Sequence, residues 1–207
     1  MAPAGAVSTP RPTILVVISS NLLLPGRFAG APRDRFYYHS WIRGTVRAIF
    51  LPMDKIKKIA LVAHDNRKKH MVEWVEYNWN TLMRHNLVCT GTTGRLVEET
   101  IRAKAGETIP QNYAIQRLKS GPLGGDQQLG ALIADGQIDA IIFFWDPMSP
   151  HPHDVDVKAL LRIAVLYNLP IACNRSTADF MISSPLLDRE YQQQVVDYST
   201  YIEREVG

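Results

Sequence analysis

From residue 57 onward, short apolar runs alternate with longer amphipathic ones. Lys57-Lys-Ile-Ala-Leu-Val-Ala63 is a β-branched apolar run ending in His64-Asp65, the pattern of a strand buried on both faces with polar residues at its carboxyl end. Residues 68–85 then place Met71, Val72, Val75, Trp79 and Leu82 at helical spacing, which predicts a crossover helix. Residues 87–90 read as a second strand, followed by a Gly91-Thr-Thr-Gly94 turn and a helix over 96–105. Residues 114–118 form a weaker strand that leads into Ser120-Gly-Pro-Leu-Gly-Gly-Asp-Gln-Gln128. The glycines and proline of that loop fix a tight path, and Asp126 stands where it turns into a helix over 128–135. Ile138-Asp-Ala-Ile-Ile-Phe-Phe-Trp145 is the most strongly apolar strand. A Pro/His-rich loop over 148–154, a helix over 157–167, a strand over 169–173 and a helix near 178–183 complete the series. The polar tail, 188–206, is expected to be helical.

Repeated strand–helix units predict an α/β fold: a three-layer, doubly wound, mostly parallel sheet with helices on both faces and right-handed crossovers. Ligands of such folds bind at the carboxyl ends of the strands. That rule gathers His64-Asp65, Gly91 to Gly94, Ser120 to Asp126 and the His151/His153 loop onto one rim.

Residues 1–56 differ from the rest and are expected to be an N-terminal extension of unknown role. Their apolar run, 13–24, is too short and interrupted for a transmembrane helix, which needs roughly 20 residues. The readings open are a strand added to the domain, a poorly ordered extension, a signal peptide with Ala29-Gly-Ala31 as its cleavage site, and an arginine-rich transit leader. Translation from Met53, which would make the preceding residues an artefact of gene prediction, is a further alternative. The aromatic stretch Phe36-Tyr-Tyr-His-Ser-Trp-Ile42 could pack on the domain or serve a partner.

Composition narrows the class. With 207 residues, 46% hydrophobic and 21% charged, the chain can bury one sizeable core and is not disordered throughout. Its net charge of +3 belongs to the front end, since residues 1–56 hold seven of the 23 Lys/Arg and two of the 20 acids. No basic groove interleaved with aromatics marks a nucleic-acid binder. Cys89 and Cys173 lie far apart without Cys-x-x-Cys spacing, so neither a disulfide framework nor structural zinc is expected, and a reducing, cytoplasmic location fits.

The chemistry sits on the predicted rim. A Gly/Thr turn opening a helix offers N–H and hydroxyl donors to a phosphate, but it lacks a Walker lysine and a Rossmann fingerprint, which disfavours nucleoside triphosphate hydrolysis. His151-Pro-His153-Asp-Val-Asp156 invites a metal reading, yet ligands two apart on an extended chain point in opposite directions, so no metal is expected. Each group also has a plainer explanation: His64-Asp65 as a satisfied strand end, Lys68 as a solvated helix lysine, Asp126 as an acid favoured by a helix dipole. Their convergence on one rim favours a proton-transfer site instead. Asp126 is its base, His153 its proton-exchanging partner, and threonine and lysine bind a phosphate.

Ala60-Leu-Val-Ala-His-Asp65, Thr90-Gly-Thr-Thr-Gly94, Ser120 to Gln128, Phe143-Phe-Trp-Asp-Pro147, Pro152 to Arg162, Asn174 and Thr177-Ala-Asp-Phe180 closely resemble, in order and spacing, the methylglyoxal synthase family. The resemblance covers roughly 57 to the C-terminus and implies a catalytic domain over 57–207. It implies conversion of dihydroxyacetone phosphate to methylglyoxal and inorganic phosphate without metal or organic cofactor, in a cytoplasmic homohexamer. Carried over by motif, it implies Asp126 as catalytic base and acid. His64, Lys68, Thr90, Gly91, Thr92, Thr93, Ser120 and Gly121 would bind substrate, His153 would contact the reacting oxygens, and Asp65 and Asp156 would support. The rival of another class is a non-catalytic allosteric ligand-binding domain of the same fold, like that of carbamoyl phosphate synthetase.

Overall fold

The computed structural model describes residues 38–40, 48–110, 113–148 and 154–198. In chain order the elements are β1 (Tyr38–Ser40), β2 (Ala48–Met53), β3 (Lys58–Ala63), α1 (Lys68–Leu82), β4 (Asn86–Thr90), α2 (Gly91–Ala105), β5 (Gln116–Leu118), α3 (Gly125–Ala134), β6 (Ala140–Phe144), α4 (Asp154–Leu166), β7 (Ile171–Ala172), α5 (Arg175–Ile182) and β8 (Tyr191–Val196). The apolar run at 13–24, the Ala29-Gly-Ala31 triplet and His153 lie outside the described residues. No helix among the described residues is long and apolar enough to cross a membrane.

Five strands form a parallel sheet in the order β5-β4-β3-β6-β7. Side-chain alternation along the central strands explains why it is covered on both faces. Ile59, Leu61 and Ala63 of β3, with Leu87 and Cys89 of β4 and Ala140, Ile142 and Phe144 of β6, join a core closed by α1, α2 and α5 through Met71, Trp74, Val97, Ile101 and Ala178. Their neighbours Ala60, Val62, Val88, Ile141 and Phe143 face α3 and α4, where Leu129, Ile133, Val157, Leu160 and Ala164 pack. Both faces of β3, β4 and β6 are buried, at about 1.5–3 kcal/mol for each large aliphatic side chain. The doubly wound sheet expected from the sequence is therefore present. α1 and α2 leave the sheet toward one face and α3 and α4 toward the other, so the loops at the carboxyl ends diverge and leave a crevice.

A second, antiparallel sheet has the order β1-β2-β8. Ala48 to Met53 pair over six residues with Val196 to Tyr191, and Met53 is buried in the core beneath α3 and α4. The tail is thus a strand over 191–196, not the helix expected. Its burial alternates, with Gln193 and Val195 inward, but the inward glutamine hides the alternation from a reading of hydrophobicity alone. Gln193 Nε2 donates to the carbonyls of Tyr167 and Asn168, at 2.5 and 2.9 Å, and Asn168 Nδ2 returns a bond to Gln194 O at 2.8 Å. Helix α1 also differs in its buried face: Trp74 is fully buried where Trp79 is only partly so. The Trp74 indole N–H reaches Asp179 Oδ1 at 2.8 Å, which satisfies its polar edge inside the core.

One partly buried cluster ties the tail to the sheet. His85 Nδ1 accepts the Lys57 N–H at 3.2 Å, its Nε2 lies 3.6 Å from Asp188 Oδ1, and Lys57 Nζ donates to Arg189 O at 2.5 Å. Burial lowers the His85 imidazole below its ordinary value of 6.5, and Arg84 and Lys57 act in the same direction against the opposing pull of Asp188. The folded chain therefore holds that proton less tightly than the unfolded chain. The contribution is fully present above about pH 6.5 and is lost as the pH falls from there toward the folded value. Thermal melts are expected to show a falling midpoint between about pH 7 and pH 5.5, with a shallower slope in His85→Gln. Equal slopes would remove His85 from the account.

Candidate active site

Three of the strand ends deliver the chemistry. β3 ends into His64-Asp65, β4 runs without a break into α2, and β5 leads through Ser120 and a short 3-10 turn, Gly121–Leu123, into α3. The Gly/Thr segment expected as a turn is the first turn of α2 itself, and α3 begins at Gly125, earlier than expected, which puts Asp126 in its first turn. No side chain caps either helix; the first N–H of each goes to a loop carbonyl, Gly91 to Lys119 O and Gly125 to Ser120 O, and the next residues of α2, Thr92 and Thr93, line the cavity. Gly91 is required where the β4–α2 junction meets the β5 loop. Its φ is +44°, a Cβ there would lie 2.8 Å from Ser120 Cβ, and its N–H donates to Lys119 O at 3.1 Å.

Between these ends lies a cavity of about 90 Å³, lined by Val62, Ala63, His64, Asp65, Lys68, Thr90, Gly91, Thr92, Thr93, Ser120, Gly121, Pro122, Asp126 and Phe143. It suits a ligand of a few carbons, being well below the roughly 300–1,000 Å³ of drug-sized sites. The structure therefore gathers His64, Asp65, Lys68, Thr90 to Thr93, Ser120, Gly121 and Asp126 around one space. Asp156 lies in the first turn of α4 and is not among the lining residues, and His153 lies outside the described residues.

Lys68 Nζ bonds to Thr92 Oγ1 and lies 2.5 Å from Asp65 Oδ1, so a cation, a hydroxyl and the start of α2 stand together. Cation, hydroxyl and helix N-terminus form an anion cradle. Asp126, buried, sits against the backbone of Gly121. His64 Nδ1 accepts the Asp146 N–H at 3.3 Å, and its ring meets Phe143 edge-on at 5.2 Å. A backbone N–H can only donate, so Nδ1 carries a lone pair and the neutral ring's proton is on Nε2.

Asn66, Arg67 and Asp146 were missed as functional candidates by reading the sequence. Asp146 is buried, with Asn66 Nδ2 on Oδ2 at 2.9 Å and Arg67 Nη2 on Oδ1 at 3.2 Å. The partners are 79 and 80 positions apart, and the one signal was that Asp146 ends the strongest strand beside a proline.

A buried carboxylate in one small cavity with a cation, threonine hydroxyls and a helix N-terminus, at the strand ends of a doubly wound sheet, defines a candidate α/β enzyme site for a small phosphorylated ligand. The family model described as an MGS-like domain matches residues 70–173. A methylglyoxal synthase of Maridesulfovibrio salexigens is 58% identical over 157 residues, covering 74% of this chain and 100% of that protein. One from Leptospira interrogans is 53% identical over 150 residues, covering 72% and 95%. The crystal structure of methylglyoxal synthase from Elizabethkingia anophelis NUHP1 matches with a TM-score of 0.67 and 47% identity, covering 76% of this chain and 97% of that one. This chain belongs to the methylglyoxal synthase family.

Proposed function

We propose that the chain is a carbon–oxygen lyase that converts dihydroxyacetone phosphate to methylglyoxal and inorganic phosphate. The observation that carries the reading is the buried Asp126 carboxylate sharing one small cavity with Lys68, Thr92, Thr93 and the start of α2. The substrate phosphate binds at the cradle, with Thr90, Gly91, Ser120 and Gly121 completing its surroundings. Asp126 takes a proton from the hydroxymethyl carbon, and the electron pair moves onto the carbonyl oxygen to form an enediolate. His64 Nε2–H donates toward the developing oxygen charge, and a neutral donor does so without protonating the enediolate prematurely. Loss of the hydroxyl proton to His153 forms the aldehyde carbonyl, the double bond shifts, and the C–O bond breaks with its pair on phosphate. The enolate of methylglyoxal left behind takes up one proton at its terminal carbon and becomes the ketone.

Phosphate placement decides the product. The breaking C–O bond must stand out of the enediolate plane to overlap with its electrons; held in plane, the intermediate would be reprotonated as an isomerase does. Lys68 and Thr92 thus direct as well as bind. Asp65 supports by holding Lys68, and Asp156 is assigned a supporting role by motif. No metal or organic cofactor takes part, and the enzyme works in the cytoplasm as a homohexamer.

Purified protein is expected to release methylglyoxal and phosphate from dihydroxyacetone phosphate in the presence of a chelator; absence of turnover by folded protein would overturn the reading. In the same assay Lys68→Met is expected to raise KM by roughly 10- to 100-fold with a smaller change in kcat, as loss of one charge-assisted phosphate contact. An unchanged KM would move the phosphate elsewhere.

A further inference from the structure

We propose that Arg67 is a positioning residue, which sets the direction and neutrality of the His64 imidazole through the buried carboxylate of Asp146. The proposal rests on the reading of His64 as a donor to substrate, and its test separates the two.

The geometry runs through one peptide group. Asp146 follows β6, next to β3 in the sheet, so its backbone N–H lies beside the end of β3 and donates to His64 Nδ1 at 3.3 Å. A bond of that length orients the ring only if the peptide is held still. The Asp146 side chain does this holding: Asn66 Nδ2 grips Oδ2 at 2.9 Å, while Arg67 Nη2 at 3.2 Å and the Met148 N–H at 3.3 Å reach Oδ1. Asn66 and Arg67 belong to the turn that follows His64 directly, so the clamp closes a ring from His64 along its own turn, across to Asp146 and back to the imidazole.

Charge gives Arg67 a role that Asn66 cannot share. The Asp146 side chain is 6% exposed and that of Arg67 33%, so the guanidinium meets the carboxylate where solvent screens it poorly. Without that cation the Asp146 carboxylate would keep its amide donors but lose the guanidinium, and the added negative charge one peptide from His64 would favour protonation of the ring. A protonated ring must place hydrogen on Nδ1, where it opposes the Asp146 N–H. The orientation would be lost, and Nε2–H would belong to an imidazolium able to give its proton up to the enediolate. Among the described residues, the other charged groups lining the same cavity are Asp65 and Lys68, next to His64 in the chain, and Asp126 at the start of α3. Lys68 is already engaged with Asp65 and Thr92, so it does not replace Arg67 at Asp146.

The test is Arg67→Gln, with Arg67→Lys as the charge-retaining control, followed by steady-state kinetics across pH and by 15N NMR of the imidazoles without ligand, with His64→Gln identifying the His64 signals. Arg67→Gln is expected to lower kcat roughly 10- to 100-fold with KM changed much less. The acid limb of its kcat profile and the His64 titration midpoint should both move up by about half a pH unit or more. Arg67→Lys should restore most of both. A merely structural role would lower the yield of folded enzyme without moving the acid limb or the NMR midpoint. If Arg67→Gln does not fold, Asn66→Ala tests the clamp alone, with a kcat loss in the same direction and little pH displacement. An unmoved midpoint and a kcat within about twofold of the parent would overturn the proposal. A normal midpoint displacement with His64→Gln fully active would instead overturn the role of His64 and leave the clamp standing.

Discussion

Asp126→Asn is expected to lower turnover of dihydroxyacetone phosphate roughly a thousandfold or more, about 4 kcal/mol of activation free energy, while a phosphate-bearing analogue still binds nearly as before. The substitution is close to isosteric, so the packing of the side chain against Gly121 survives; what disappears is an oxygen able to take a proton from carbon. On the proposed reading binding is held by other groups, since Lys68, Thr92 and the first turn of α2 meet independently of α3. The measurement is kcat for the variant beside its affinity for the analogue by calorimetry. Activity within tenfold of the parent would transfer the base to another group in the cavity, with Asp65 the first to test. Joint loss of activity and affinity would show that the variant had damaged the cavity.

How far the sequence carried this assignment differs between elements. The central strands β3, β4 and β6 were legible because both faces are buried, which makes them near-continuous apolar runs that end in polar residues. The cavity residues were legible because the ligand-end rule for parallel sheets converts three strand ends into one place. Strand β8 was not, since its inward Gln193 is satisfied by the Tyr167 and Asn168 carbonyls, partners 25 and 26 positions away that no local pattern reveals. Trp74 was passed over for Trp79 although it follows Met71 by three residues on the same helical face, and its indole N–H is met by Asp179 from α5. The Asn66–Arg67–Asp146 clamp needs the β3–β6 pairing before its members can meet, so topology had to precede it. Strand β2 shows the limit of composition: Ala48 to Met53 lie in the stretch set apart by its charge, yet they pair residue for residue with the tail.

The loop around Asp126 gives the second large expectation, because two glycines four positions apart should fail in opposite ways. A Cβ at Gly121 would lie 2.8 Å from Asp126 Oδ2, the far end of a side chain that can turn aside. Gly121→Ala is therefore expected to fold and melt like the parent but to lose roughly 10- to 100-fold in kcat, because the carboxylate is displaced from its line to the substrate carbon. A Cβ at Gly125 would lie 2.0 Å from Lys119 O and 2.9 Å from the Ser120 carbonyl carbon, both backbone. Lys119 O also accepts the Gly91 N–H, and Ser120 O accepts those of Leu123 and Gly125, so neither can retreat without opening the junction between α2 and the loop. Gly125→Ala should cost about 3 kcal/mol or more of stability, a drop of roughly 6 °C or more in melting temperature, before any question of activity arises. Melting curves and kcat measured on the two variants decide the matter together. If Gly121→Ala kept full activity, the Asp126 carboxylate would not need the position it holds against Gly121, and proton abstraction from that position would have to be abandoned even if Asp126→Asn were inactive.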